Sequence, residues 1–209
     1  MLFDMDGTLL DSAECVRRVW SDWGDGHGFD VDELMGLSHG RRNDEVVRLV
    51  APWLDVAGEL ARLASAEEDC RDGIAAVPGA RRLLAQLGAA RWAVVTSAWR
   101  RLARIRLGAA GLELPPVLVT ADDVERGKPD PEGYLQAAAR LGCRPTACVV
   151  VEDAPAGVAA ARAAGMRVVG VTTTVGRDRL GCEWCVEDLR ALTARVVGGD
   201  PAVVPGRAH

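Results

Sequence analysis

Leu2-Phe3-Asp4-Met5-Asp6-Gly7-Thr8 decides how the rest of this chain is read. Two apolar residues lead into Asp4 and Asp6, and the i, i+2 spacing puts both carboxylates on one face of an extended segment as a strand ends. Held that close, the pair stays fully ionised only beside a cation, and a hard divalent ion with oxygen ligands such as Mg²⁺ suits it, as does phosphate chemistry. Gly7 lets the backbone turn away at once. Taken alone, Asp4 to Thr8 also fits an ordinary strand-to-turn junction, because Asp-Gly is a common turn dipeptide.

Three later segments bring further reactive groups, two of them as apolar runs that stop at such groups and one as a loop. Trp92-Ala93-Val94-Val95 ends at Thr96 and Ser97, and Cys148-Val149-Val150-Val151 ends at Glu152 and Asp153. Between them, Gly127-Lys128-Pro129-Asp130-Pro131 is a loop stiffened by two prolines around one lysine. Each has a plainer reading: Thr96 and Ser97 as caps of the next helix, Lys128 as a solvated charge, Glu152 and Asp153 as the opening of the helix around Ala156. In an open parallel sheet, however, the carboxyl ends of the strands share one edge, where such folds bind ligands.

From Val77 onward helices alternate with short apolar strands, which argues for a parallel sheet with right-handed crossovers. The expected helices are Gly79–Leu87, Trp99–Ala110, Pro131–Leu141, Pro155–Ala164 and Asp188–Val196; the expected strands are Trp92–Thr96, Val117–Val119, Ala147–Val151, Arg167–Val171 and one near Cys185. Between Ser12 and Ala76 nothing reads as a strand. There Val16, Val19, Trp20 and Trp23 repeat at i, i+3, i+4 and i+7, with Asp11 or Ser12 as N-cap and Gly24 as stop. Further helices are expected from Asn43 to near Pro52 and across Val56, Leu60 and Leu63. The organisation expected is a core of residues 1–11 and 77–197, a helical insert of 12–76, and a disordered Gly- and Pro-rich tail of 198–209.

Taken in order, the Asp-x-Asp-Gly-Thr run, the strand-end Thr96 and Ser97, the loop Lys128 and the strand-end Glu152-Asp153 resemble the four motifs of the haloacid dehalogenase superfamily of aspartate-dependent phosphotransferases. Val77-Pro78-Gly79-Ala80, Thr120 to Val124 and Val151 to Gly157 resemble more narrowly its branch of sugar-phosphate, glycerol-phosphate and 2-deoxyglucose 6-phosphate phosphatases. The resemblance implies an α/β fold, a Rossmann-like doubly wound parallel sheet with an inserted helical cap that moves over the site. Asp4 would then be the nucleophile, forming an aspartyl-phosphate. Asp6 would be general acid and base. Thr96, Ser97 and Lys128 would hold the phosphoryl oxygens. Asp4, the carbonyl of Asp6, and Asp153 would hold Mg²⁺, with Glu152 either sharing the ion or orienting its ligands. Specificity falls to the insert, and Ser38-His39-Gly40-Arg41-Arg42 is the candidate segment, with a solvated polar loop as the alternative.

Related mutases often carry a cap-helix histidine where this chain has Val16 and lack the threonine found here as Thr8, which favours hydrolysis over phosphomutation. A non-catalytic phosphosugar-binding protein is a third reading, suggested by the three residues before Asp4. They are fewer than the five or six of an ordinary strand, so an upstream start or a weakly anchored nucleophile is expected. Dehalogenation fits less well, since in the superfamily that chemistry calls for neither a second aspartate nor Mg²⁺.

A net charge of -5 over 209 residues without a basic cluster offers nothing to nucleic acid. No apolar run approaches the roughly 18 residues of a membrane span, and Asp4 and Asp6 break any leader pattern. A cytoplasmic monomer or weak homodimer acting on a small phosphorylated metabolite is expected. Cys182-x-x-Cys185, with Cys143 and Cys148, has zinc-like spacing, but all six cysteines read better as reduced thiols packed like small hydrophobes.

Overall fold

The computed structural model describes residues 1–38, 41–197 and 200–205. Its centre is a six-stranded parallel sheet in the order β5-β4-β1-β6-β7-β8, formed by β1 (Leu2–Phe3), β4 (Ala93–Val95), β5 (Val117–Val119), β6 (Val149–Glu152), β7 (Arg167–Val171) and β8 (Cys185–Val186). From β1 the chain builds outward in both directions, and a ligand crevice opens beyond the strand ends where that order reverses.

Period-two burial divides these short strands between two helical layers. Phe3, Val94 and Val151 pack with α5 (Ala80–Leu87) and α6 (Arg100–Ala109). Leu2, Ala93, Val95 and Val150 face the other way, toward α7 (Glu132–Arg140) and α8 (Pro155–Ala163). Both faces are therefore dry, which is why the strands read as continuous apolar runs. Strand β1 has only two residues, as its length in sequence predicts, yet it is not loosely held. Leu2 and Phe3 are fully buried, and they pair with Ala93 and Val94 on one side and Val150 and Val151 on the other. The Asp4 amide continues the ladder by donating to the Val151 carbonyl at 3.0 Å.

The insert consists of α1 (Ala13–His27), α2 (Val31–Ser38), α3 (Asn43–Val50) and α4 (Val56–Asp69), packed about Trp20, Trp23, Leu34, Val46, Val47 and Leu63. Helix α1 runs past Gly24, the expected stop, and ends at the left-handed Gly28; α2 is an element the periodicity did not reveal. The two crossings between insert and core are joined, because β2 (Leu10–Asp11) pairs antiparallel with β3 (Ala75–Ala76). A strand this short carries no readable alternation.

Two expectations at the carboxyl end are corrected. Residues 188–196 do not form one helix: a short 3₁₀ turn at Leu189–Ala191 leads into β9 (Leu192–Val197). Leu192, Ala194 and Val196 alternate like a strand, while Leu189, Leu192 and Val196 also repeat like a helix. Packing decides, with Leu192 and Ala194 buried and the Ala194 amide donating to Gln86 on α5 at 2.9 Å. Nor is the tail wholly without structure, since β10 (Asp200–Pro205) pairs antiparallel with β9. Residues 198, 199 and 206–209 lie outside the described residues.

The cysteines also divide differently. Cys148, Cys182 and Cys185 are buried free thiols and Cys143 a half-buried one, as expected. Cys15 and Cys70, however, form a bonded pair across the base of the insert, 5.9 Å apart at Cα, a separation that suits such a bridge. They lie 55 residues apart in sequence, and spacing alone does not reveal the pairing.

Candidate active site

Where β1, β4 and β6 end, the reactive groups of the first, third and fourth segments converge. The Lys128 ammonium donates to Asp4 Oδ1 at 2.6 Å and to Glu152 Oε1 at 2.7 Å, and all three side chains are buried. Lys128 reaches them from the proline-flanked loop, 5.4 Å above the Tyr134 ring. Carboxylate oxygens of Asp4, Glu152 and Asp153 lie within 4.8 Å of one another. Among the described residues this is the single cluster of His, Cys, Asp and Glu side chains able to share an ion.

Glu152 is occupied by the protein. Besides Lys128 it accepts from the Tyr134 hydroxyl at 3.1 Å and from the amides of Asp153 and Ala154, both at 2.8 Å. These four donors make it the anchor that orients Lys128 and the turn after β6. Asp153 instead accepts hydroxyl bonds, from Thr8 at 2.8 Å and from Thr174, so Thr8 ties the first motif to the fourth.

Three buried carboxylates against one ammonium leave a surplus of negative charge. Burial, followed by Glu152 and then Asp6, raises Asp4 from its ordinary 3.8 to about 7, although Lys128 opposes the shift. Burial, then Glu152 and Asp4, also pushes Asp153 well above the usual carboxylate range. Burial alone would lower Lys128, but Asp4 and Glu152 hold it well above the ordinary lysine value. A divalent cation would relieve the surplus, and the hard oxygen donors fit Mg²⁺.

Thr96 and Ser97 follow β4 and line, with Asp4, Asp6 and Asp153, a cavity of about 990 Å³ between core and insert. Thr96 Oγ1 accepts the Ala98 amide at 3.1 Å, so it caps the following turn and faces the cavity at once. Val16, Trp20, Met35, Ser38, Arg41 and Arg48 line the insert side. Of the expected specificity segment, Ser38 and exposed Arg41 reach this cavity, with the Ser38 hydroxyl donating to the Met35 carbonyl at 3.2 Å. His39 and Gly40 lie outside the described residues. Arg42 also borders the cavity, but its guanidinium donates to the core carbonyls of Ala121, Val124 and Glu125 at 2.6, 3.2 and 3.0 Å. It straps α3 to the core.

Asp6 has partners that motif spacing gave no sign of. Its Oδ1 accepts from the Ser12 hydroxyl at 2.6 Å and lies 3.1 Å from Nη1 of Arg106. Arg106 also donates to Glu67 of α4 at 3.0 Å. A signal was present in the sequence, because Arg106 stands among Leu102, Ala103 and Leu107 on the buried face of α6, where an unpaired charge is costly.

A parallel sheet whose central strand delivers an aspartate beside a lysine and a second acidic pair defines a class, and comparison with known proteins agrees. Residues 1–165 match the family model of haloacid dehalogenase-like hydrolases, and the chain belongs to that family. Among its relatives it is 45% identical to hexitol phosphatase A of Escherichia coli over 184 residues, 86% of this chain and 85% of that one. It is 36% identical to glycerol-1-phosphate phosphohydrolase 2 of Saccharomyces cerevisiae, over 95% of this chain and 84% of that one. The solved structure of a hydrolase from Pseudomonas syringae superimposes with a TM-score of 0.82 at 28% identity, covering 90% and 93% of the two chains. The likeness thus runs through core and insert together, and it lies with phosphatases of small phosphate monoesters.

Proposed function

We propose that this chain is a Mg²⁺-dependent, cytoplasmic phosphatase, a monomer or weak homodimer, that hydrolyses a small sugar or polyol phosphate through an aspartyl-phosphate on Asp4. The observation that carries the reading is the buried Lys128 held between Asp4 and Glu152 with Asp153 alongside.

Asp4 attacks phosphorus in line with the leaving oxygen, the phosphorus–oxygen bond of the ester breaks, and Asp6 gives its proton to the departing alcohol. Asp6, now a carboxylate, takes a proton from water as that water attacks the phosphorus of the aspartyl-phosphate, releasing inorganic phosphate and restoring Asp4. Lys128, the Thr96 hydroxyl and the Ser97 amide stabilise the phosphoryl oxygens throughout. Mg²⁺ bound by Asp4, the Asp6 carbonyl and Asp153 would supply further neutralisation of those oxygens. Glu152 keeps Lys128 in place. Val16 lines the cavity, where a phosphomutase would carry a proton-transferring side chain.

A panel of glycerol phosphates, hexitol phosphates and hexose 6-phosphates, assayed for free phosphate with and without Mg²⁺, tests the proposal. Phosphate release that requires Mg²⁺ and disappears in Asp4→Asn is the expected result. An isomeric ester in place of free phosphate would establish a mutase instead, and saturable binding without turnover a carrier. Full activity in Asp4→Asn would remove the nucleophile assignment.

A further inference from the structure

Arg106 is a buried charge that the mechanism above leaves without work. Only 4% exposed, it sits on the apolar face of α6, where a leucine would pack without loss of hydration. Its guanidinium joins two bodies. Nη1 is 3.1 Å from Asp6 Oδ1 in the core, and Nη2 donates at 3.0 Å to Oε1 of Glu67, which α4 carries at the edge of the insert. The amide of Asn43 on α3 donates to the other Glu67 oxygen at 2.7 Å, so two helices of the insert fix that carboxylate. Among the described residues the buried Arg106 Nε has no partner: the side chain gives up one donor to keep its two Nη groups on the acids.

We propose that Arg106 is a positioning residue, which sets the Asp6 carboxyl for proton delivery to the leaving alcohol while the insert is seated, with Glu67 as the insert's half of the link. This rests on the role of Asp6 proposed above. Two donors, the Ser12 hydroxyl and Arg106, meet the same oxygen of Asp6, which fixes the rotation of the carboxyl. The proton leaves Asp6 for the ester oxygen as that oxygen takes the electron pair of its bond to phosphorus. The carboxylate that remains is then paired with a guanidinium already in place. Glu67 matters because it neutralises and orients Arg106 from the far side; if the insert lifts, the guanidinium loses that partner.

The proposal separates proton delivery from phosphate binding, so esters with different leaving groups test it. 4-Nitrophenyl phosphate loses a stable phenolate that needs no proton, whereas an alkyl phosphate must be protonated as it leaves. The comparison uses kcat/KM, which reports only steps up to the first transfer. For the best alkyl phosphate of the panel, Arg106→Met should lower kcat/KM about 100-fold, the low end of what a positioned proton donor contributes. For 4-nitrophenyl phosphate the loss should stay under about fivefold. Glu67→Gln, which keeps the shape of the site, should show the same selective loss at about tenfold, and Arg106→Lys should recover part of it. Equal losses for both esters in Arg106→Met and Glu67→Gln, or no loss in either, would overturn the proposal. A wild-type chain that releases phosphate from neither ester would instead overturn the hydrolytic reading, and this proposal with it.

Discussion

Gly157 shows how much of this site depends on single atoms. A β-carbon there would fall 1.5 Å from Glu152 Oε1, and Glu152 cannot yield easily because four donors and a dry strand end hold it. Gly157→Ala should therefore displace Glu152 and with it Lys128, costing about 1–3 kcal/mol as an overpacked core substitution does, together with most of the activity. Denaturant unfolding and phosphate release would check the two losses. Gly7 is constrained twice: its backbone is left-handed at φ 82, and a β-carbon would lie 2.0 Å from Asp153 Oδ2. In the sequence Gly7 was legible as a turn. Its second duty, clearing space beside Asp153, was not, because it arises from a contact across 146 positions of chain.

At the scale of elements, α3 and α4 carry the seams between insert and core. Arg42, just before α3, bonds three core carbonyls, while Glu67 and Glu68 of α4 meet Arg106, Trp99 and Arg101. Arg42→Ala removes a strap and leaves Asp4, Lys128 and Glu152 in place, so we expect KM to rise several-fold for cavity-filling substrates, with kcat for 4-nitrophenyl phosphate nearly unchanged. An equal fall in kcat for both would mean that the strap orders the loop carrying Lys128 instead. Arg41, which lines the cavity on the exposed side, should behave differently. Paired with His39→Ala, Arg41→Ala should raise KM for the true substrate more than for a small ester. Adjacent arginines in one polar segment read alike in sequence; which faces the open cavity and which bonds core backbone is set by where α3 lands. The strand-end motifs were legible because an apolar run that stops at a hydroxyl or an acid needs no tertiary information. The two-residue ribbon of β2 and β3, helix α2 and the strand β9 were not. Their patterns are too short or fit two periods equally, and only packing separates them.

Over the whole molecule, the surplus of buried negative charge couples stability to pH and to metal. In the metal-free protein, Asp4 has a folded-state value of about 7 against an ordinary 3.8, so between those values the folded chain holds a proton that the unfolded chain has lost. Stability from this group is therefore present at low pH and declines as pH rises through the window, by about 1.4 kcal/mol per unit of separation. Asp153, shifted in the same direction, adds to the decline. Lys128 is raised, so its contribution is lost only in strongly alkaline solution. At Asp123 burial is the largest single influence and raises the carboxyl, but the hydrogen bonds from Arg140 and Thr120 together bring it down to about 2, so its contribution is lost only in acid. Mg²⁺ bound to this cluster would compete with protons for the same oxygens, and the stabilisation it brings should grow with pH. Comparing melting temperatures in excess Mg²⁺ and in chelator at each pH cancels every titration remote from the cluster. At pH 8 the difference should reach several degrees, since saturation at 100 times Kd is worth about 2.7 kcal/mol and a chain of this size shifts roughly 2–4 °C per kcal/mol. At pH 5 it should shrink toward zero, and Asp153→Asn should flatten it throughout. A Mg²⁺ effect equal at both pH values, or larger in acid, would place the ion away from Asp4 and Asp153 and leave their buried charge to be balanced by protons alone.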